Sequence, residues 1–237
     1  MRDRHLSSRR RRSGPRRNPD ARWVRAALTA SLVLSTASPS PAEIVIEGRV
    51  ALPPARVAAI APRYQKIAGK VAEPEPPAAI VYLDGSFAPQ NATRPGPAEV
   101  AQKGYQFAPG LLAVEVGDYV EFPNRDDEYH HVFSYSKAHS FDLGRYRKDE
   151  EVPKVLFDAP GVVTLGCEIH DHMRGTILVL ETPYFAKTNE AGDYRIVIPE
   201  PLSGTFRLKA WISLRQTLEQ SVELHDGVAV KADFTGS

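Results

Sequence analysis

Sulfur is scarce in this 237-residue chain: it has one cysteine, Cys167, and two methionines, one of them the initiator. A single thiol rules out an internal disulfide framework. It also disfavours a binuclear copper centre, which needs two bridging cysteines. No Gly-rich phosphate loop, no Gly-x-Ser-x-Gly elbow and no Cys-x-x-Cys-His run occurs, so nucleotide, α/β-hydrolase and attached-haem chemistry have no foothold. Long apolar runs are missing too. The run Ala26–Leu34 is too short to cross a bilayer as a stable helix, and no stable membrane span is expected.

Hydrophobic residues make up 42 % of the chain, enough for a core. The net charge of +1 conceals an uneven distribution. Residues 1–42 hold 10 Lys and Arg against 2 Asp and Glu, leaving 20 basic and 27 acidic residues in the remainder. The remainder is therefore acidic, which speaks against a nucleic-acid surface. An arginine-rich stretch, the short apolar run and small residues ending Ser40-Pro41-Ala42 have the layout of a cleaved signal peptide over 1–42, with Glu43 as the new N-terminus. Export to the periplasm is the expectation.

Short apolar runs alternate with Gly, Pro, Asn and Asp clusters, so the fold class expected is all-β. Strands are predicted at Ile44–Val50, Ala79–Leu83, Leu112–Val116, Tyr119–Phe122, His131–Ser134, Lys154–Phe157, Val162–Gly166, Thr176–Leu180, Tyr194–Ile198 and Thr205–Trp211. Val114 and Val116 flank Glu115, and Val120 and Phe122 flank Glu121, the alternation of strands with one wet face. The stretch 51–78 is rich in Ala and Pro and allows a loop or a short helix around Ala58–Gln65. Residues 87–100 carry three prolines and read as a surface loop. Asn91-Ala92-Thr93 matches a glycosylation pattern expected to be idle.

The scarce sulfur is concentrated in one place. The stretch Cys167-Glu168-Ile169-His170-Asp171-His172-Met173 puts a thiol, an imidazole and a thioether on one short segment. With one further histidine from elsewhere, these donors make a type 1 copper site: two imidazoles and a thiolate in a plane, and a weak axial thioether. His130 and His131 lie upstream as candidates. The loop would join strand 162–166, which delivers Cys167, to strand 176–180, with Arg174-Gly175 as an unhindered turn. Singly, each residue has a plainer role: Cys167 as a small buried hydrophobe, Met173 as core filler, His170 as a turn cap. Their joint spacing in a β context favours ligation. Zinc suits the set less well, because methionine is a poor zinc ligand and structural zinc prefers several cysteines. His139 and His225 read as surface residues.

The stretch 110–182 resembles the cupredoxin family, and its Cys-x-x-His-x-x-Met loop is most similar to amicyanin-like proteins. The resemblance implies that His130, Cys167, His170 and Met173 bind one mononuclear copper ion. His131 then stands where an asparagine usually locks the ligand loop, and His172 where an apolar or aromatic residue is usual. Both departures suggest a looser loop or a wetter site. The function implied is non-enzymatic one-electron transfer. Implied partners are redox proteins such as a c-type cytochrome or a periplasmic dehydrogenase. A copper-sequestering protein without an electron-transfer role is the alternative, and an adhesion or carbohydrate-binding β-protein with a vestigial loop is a third.

Downstream, Thr188-Asn189-Glu190-Ala191-Gly192-Asp193-Tyr194, Ile198-Pro199 and the strand ending at Trp211 resemble a carboxypeptidase-regulatory-like β-sandwich. Its opening strand would be Ile44–Val50. The expected organisation is therefore a leader over 1–42, N-terminal strands over 43–85, a cupredoxin Greek-key β-sandwich over 86–182, and an Ig-like sandwich segment over 183–237. The second, smaller sandwich is either discontinuous, with the cupredoxin strands inserted into it, or a plain tandem neighbour. Fifty-five C-terminal residues alone are few for an independent core.

Overall fold

Residues 43–55, 71–87 and 97–235 are described by a computed structural model. The leader, the helix considered at 58–65 and the Asn91 pattern lie outside the described residues. Among the described residues there are seventeen strands and no helix.

Strands from the middle of the chain form two opposed sheets. One contains β6 (Leu111–Glu115), β8 (His130–Tyr135), β9 (Ser140–Tyr146), β11 (Gly161–Cys167) and β12 (Arg174–Leu180), in the order β6-β12-β11-β8-β9. The other contains β3 (Ala98–Glu99), β7 (Asp118–Glu121) and β10 (Lys154–Phe157), in the order β10-β7-β3. A two-stranded hairpin, β4 (Ala101–Gln102) with β5 (Phe107–Ala108), completes this part. Val114, Val120, Phe122, Val132, Phe157 and Val163 fill the space between the sheets. Together these strands make a cupredoxin-type β-sandwich.

The remaining strands come from both ends of the chain. The strand β1 (Ile44–Arg49) pairs antiparallel with β14 (Asp193–Ile198) and parallel with β17 (Ala229–Lys231). The strand β2 (Ile80–Asp84) lies between β13 (Phe185–Lys187) and β15 (Gly204–Ser213), and β15 pairs with β16 (Gln216–Leu224). Ile44, Ile46, Val81, Leu83, Ile196, Leu208 and Leu224 build a core of their own. No strand of residues 98–180 pairs with β1 or β2.

Strand β12 shows how one segment serves two cores. Successive side chains point to opposite faces of a strand. Ile177 and Val179 face the cupredoxin-type core, whereas Leu178 and Leu180 pack with Ile80, Ala113 and Trp211. Both faces are covered, which is why 177–180 reads as an unbroken apolar run rather than an alternation. Arg174 and Gly175 belong to this strand, paired with Gly166 and Leu165, and do not form the expected turn. A Cβ at Gly175 would lie 3.3 Å from both Leu165 and Phe107, so the position is tightly packed.

Candidate metal centre

Period-two geometry brings the sulfur and the upstream histidine to one interior. Along β11, Val163, Leu165 and Cys167 share the core-facing side, and Cys167 ends the strand. Along β8, His130, Val132 and Ser134 are the buried set. Cys167 pairs with Val132 in the ladder, so His130, two residues before Val132, projects on the same face beside it. The loop between β11 and β12 then carries His170 and Met173, and Met173 N donates to His170 O at 2.9 Å.

Three of the predicted residues converge. Cys167 Sγ lies 3.7 Å from His130 Nδ1 and 3.7 Å from His170 Nδ1. All three donor atoms fall within 4.8 Å of one another. Bonds of about 2.0 Å to nitrogen and about 2.3 Å to sulfur, opened to about 120°, put two donors about 3.7 Å apart. The observed spacing is therefore that of donors arranged around one ion. His130 is 0 % exposed, Cys167 2 % and His170 7 %. Met173 is fully buried in the same hydrophobic cluster as Cys167. Among the described residues no further Cys, His or carboxylate joins the triad, leaving it one donor short of a closed structural zinc site.

The electrostatics prepare the sulfur. Burial alone favours the neutral thiol, but the two imidazoles and the backbone of His131 and His170 outweigh it and bring Cys167 down to about 5. At neutral pH the group is a thiolate, the form that binds metal. His130 is oriented from behind. Its Nε2 donates to Asp126 Oδ2 at 3.0 Å, which fixes the ring with Nδ1 toward Cys167 Sγ, the nitrogen available to a metal. Burial favours a neutral His130 ring, yet Asp126 and Cys167 together raise its pKa. Burial likewise resists the Asp126 carboxylate, but His130 and the backbone N–H groups of Tyr105 and Gly104 hold its pKa below the usual value.

Asp126 reaches this place through Asn124. Asn124 Oδ1 accepts from Asp126 N at 2.9 Å, and its Nδ2 donates to Glu128 O at 2.8 Å and Tyr146 O at 3.0 Å. This side chain shapes the 124–130 turn from which His130 enters β8. Asp126 was not singled out from the sequence: an aspartate four residues before a histidine in an acidic turn is unremarkable until the fold brings Gly104 and Tyr105 against it.

The two unusual histidines do not loosen the site as expected. His131 Nε2 contacts Asp142 on β9, while its Nδ1 lies 3.7 Å from Glu168 Oε2 on the ligand loop. Arg145 holds the same Glu168 oxygen at 2.9 Å, and Glu168 N donates to His131 O at 3.1 Å. The loop is tied to β8 and β9 by charge and hydrogen bonds, the place an asparagine would fill in the resembled family. His172 turns inward, with Nε2 3.1 Å from Tyr105 O, and burial lowers its pKa. His139 is not a surface residue either. It is mostly buried, 4.9 Å from the Phe157 ring and 3.1 Å from the Ala159 backbone. His225 is exposed as expected.

Neither a family model nor a curated protein matches the chain. Solved structures do. A copper-containing nitrite reductase from Thermus scotoductus SA-01 is 28 % identical over 41 % of this chain and 26 % of its own length, with a TM-score of 0.35. A Cu(I) amicyanin variant is 21 % identical over 42 % of this chain and 97 % of its own, with a TM-score of 0.33. An oxidized amicyanin variant is 24 % identical with the same coverage and TM-score. This chain thus spans about a quarter of the nitrite reductase, and these overlaps are distant. The strand register and the donor spacing define the site directly: the protein has a cupredoxin-like fold with a buried His/Cys/His metal-binding triad.

Proposed function

We propose that His130, Cys167, His170 and Met173 hold one mononuclear copper ion in a type 1 arrangement and that the protein carries single electrons between redox partners in the periplasm. The observation that carries this reading is a buried thiolate sulfur equidistant from two imidazole nitrogens. Copper, when bound, supplies a one-electron couple. The chain supplies everything that keeps its surroundings constant. Asp126 fixes the His130 ring, the His131–Glu168–Arg145 contacts fix the loop, and the burial of all four side chains keeps water away. Two imidazoles, a thiolate and a soft thioether accommodate both copper oxidation states, so little has to move.

A carrier suits this site better than an enzyme, because donors 0–7 % exposed leave no room for a substrate. His170 is the triad member nearest the surface and is the natural point of contact for a c-type cytochrome or a dehydrogenase. The test is a redox titration of the copper-loaded mature protein followed by stopped-flow mixing with an oxidized c-type cytochrome. Reversible cycling and rapid cytochrome reduction are expected. Tight Cu(I) binding without cycling would instead make the protein a copper-sequestering one.

A further inference from the structure

The β4–β5 hairpin contains a residue that breaks the local rule for its turn. Lys103 N donates to Gln106 O at 3.0 Å, leaving Gly104 and Tyr105 as a two-residue turn with φ of 61° and 57°. A turn with both central residues in the left-handed region selects Gly, Asn or Asp. Glycine satisfies the first position, where a Cβ would also sit 2.7 Å from Ala72 Cβ. The second is occupied by a bulky aromatic, and among the described residues Tyr105 is the one non-glycine with positive φ. A side chain held in that region is strained and persists only when its surroundings impose it.

Its surroundings are those of the metal centre. Asp126, which orients His130, also accepts from Gly104 N at 2.7 Å and Tyr105 N at 2.9 Å. His172, two residues beyond His170, lies against Tyr105 O at 3.1 Å. Held in this way, the ring stands edge-on to both imidazoles of the triad. Its centroid is 5.1 Å from that of His170 at 88°, and 6.0 Å from that of His130 at 70°. Tyr105 itself is 4 % exposed, so one ring covers two metal-binding side chains.

We propose that Tyr105 closes the metal centre to water and small exogenous ligands, and that Asp126 and His172 are the positioning residues that keep it there. The ring's bulk does this, not its hydroxyl. Glycine at 105 would remove the cover and suits the turn better than tyrosine does, which offsets part of the cost of losing a buried ring; far-UV circular dichroism and the urea midpoint of each variant establish that it is folded before either arm is read. The copper arm of the test rests on the function proposed above; a second arm does not.

The experiment compares the wild type, Tyr105→Gly and Tyr105→Phe. In the copper-loaded proteins, azide is titrated against the visible spectrum. In the metal-free proteins, the rate of Cys167 alkylation by iodoacetamide is measured at one pH. Tyr105→Gly is expected to bind azide at least about tenfold more tightly than the wild type and to be alkylated faster, with Tyr105→Phe matching the wild type in both. Where copper binds, azide affinity in Tyr105→Gly equal to that of the wild type overturns the proposal. Where no copper spectrum forms in the wild type, the type 1 reading fails by itself and the alkylation arm decides: an unchanged rate in Tyr105→Gly then overturns the cover.

Discussion

Removing the carboxylate of Asp126 should damage folding and metal affinity together, by amounts that the hydrogen bonds set. Three donors converge on it: His130 Nε2, Gly104 N and Tyr105 N. A buried donor left without a partner costs about 1 to 3 kcal/mol. The His130 ring is fully buried and Tyr105 nearly so, while Gly104 lies closer to solvent, where water can replace part of the loss. Asp126→Ala should therefore destabilise the metal-free protein by about 3 kcal/mol, read as a lower midpoint in urea with an unchanged slope. Loss of a partner that orients a ligating histidine typically weakens metal affinity about 10- to 100-fold, or about 1.4 to 2.8 kcal/mol. Copper affinity by chelator competition measures that second quantity. Asp126→Asn separates the two effects. Its carbonyl oxygen can serve His130 and Tyr105, but its amide then faces Gly104 N–H, so one bond is lost rather than three. Asn should fall between the wild type and Ala in stability and retain most of the affinity. An Asp126→Ala protein as stable as the wild type and binding copper equally well would refute the idea that this carboxylate organises the site.

Met173→Leu conserves volume at a fully buried position and should change stability by less than about 1.5 kcal/mol, while shifting the reduction potential measured by spectroelectrochemistry; an unchanged potential would remove Met173 from the ligand set. Leu178→Ala opens a cavity where the five-stranded sheet meets Ile80 and Trp211, and urea denaturation should show a loss of about 2 to 5 kcal/mol. Arg49 donates to Asp193 at 2.6 Å and holds that carboxyl below its usual pKa. The stability this pair contributes is present above the unfolded-state carboxyl pKa and is lost as pH falls through the lower folded-state value. Arg49→Met should therefore lower stability slightly in the neutral region and leave the acid end of the stability–pH curve unchanged, so that its acid limb is flatter, as followed by thermal denaturation.

The metal-binding loop was legible because its chemistry is local. Cys167, His170 and Met173 sit within seven residues between two apolar strands, and the fold only had to keep that order. His130 was legible only as one of two neighbouring candidates; the family resemblance favoured it over His131, and its place as the first residue of β8 gives the physical reason. Tyr105 and Asp126 were not. They meet across 21 residues, on a hairpin whose strands are two residues long, too short to show any periodicity. A Gly-Tyr pair also lacks the Asn-Gly or Asp-Gly signature of such turns. The strands β9 and β16 escaped notice for a different reason. Each lies at a sheet edge with mostly exposed or half-exposed residues, and a polar residue interrupts its apolar face, Arg145 after Phe141 and Leu143 in β9 and Gln220 between Leu218 and Val222 in β16. β12 was visible but incompletely understood. Its continuous apolar run marks a strand covered on both faces, and the second cover comes from β2 and β15, which lie far away in the chain.

The proposed electron-transfer role requires the thiolate of Cys167 to bond a copper ion shared with His130 and His170. Visible and electron paramagnetic resonance spectra of the copper-loaded protein, taken beside Cys167→Ser, test this most directly. The wild type should show an intense blue or green sulfur-to-copper band and a type 1 resonance, and the serine variant neither. A wild-type spectrum that matches the variant, colourless with an ordinary cupric resonance, would contradict it.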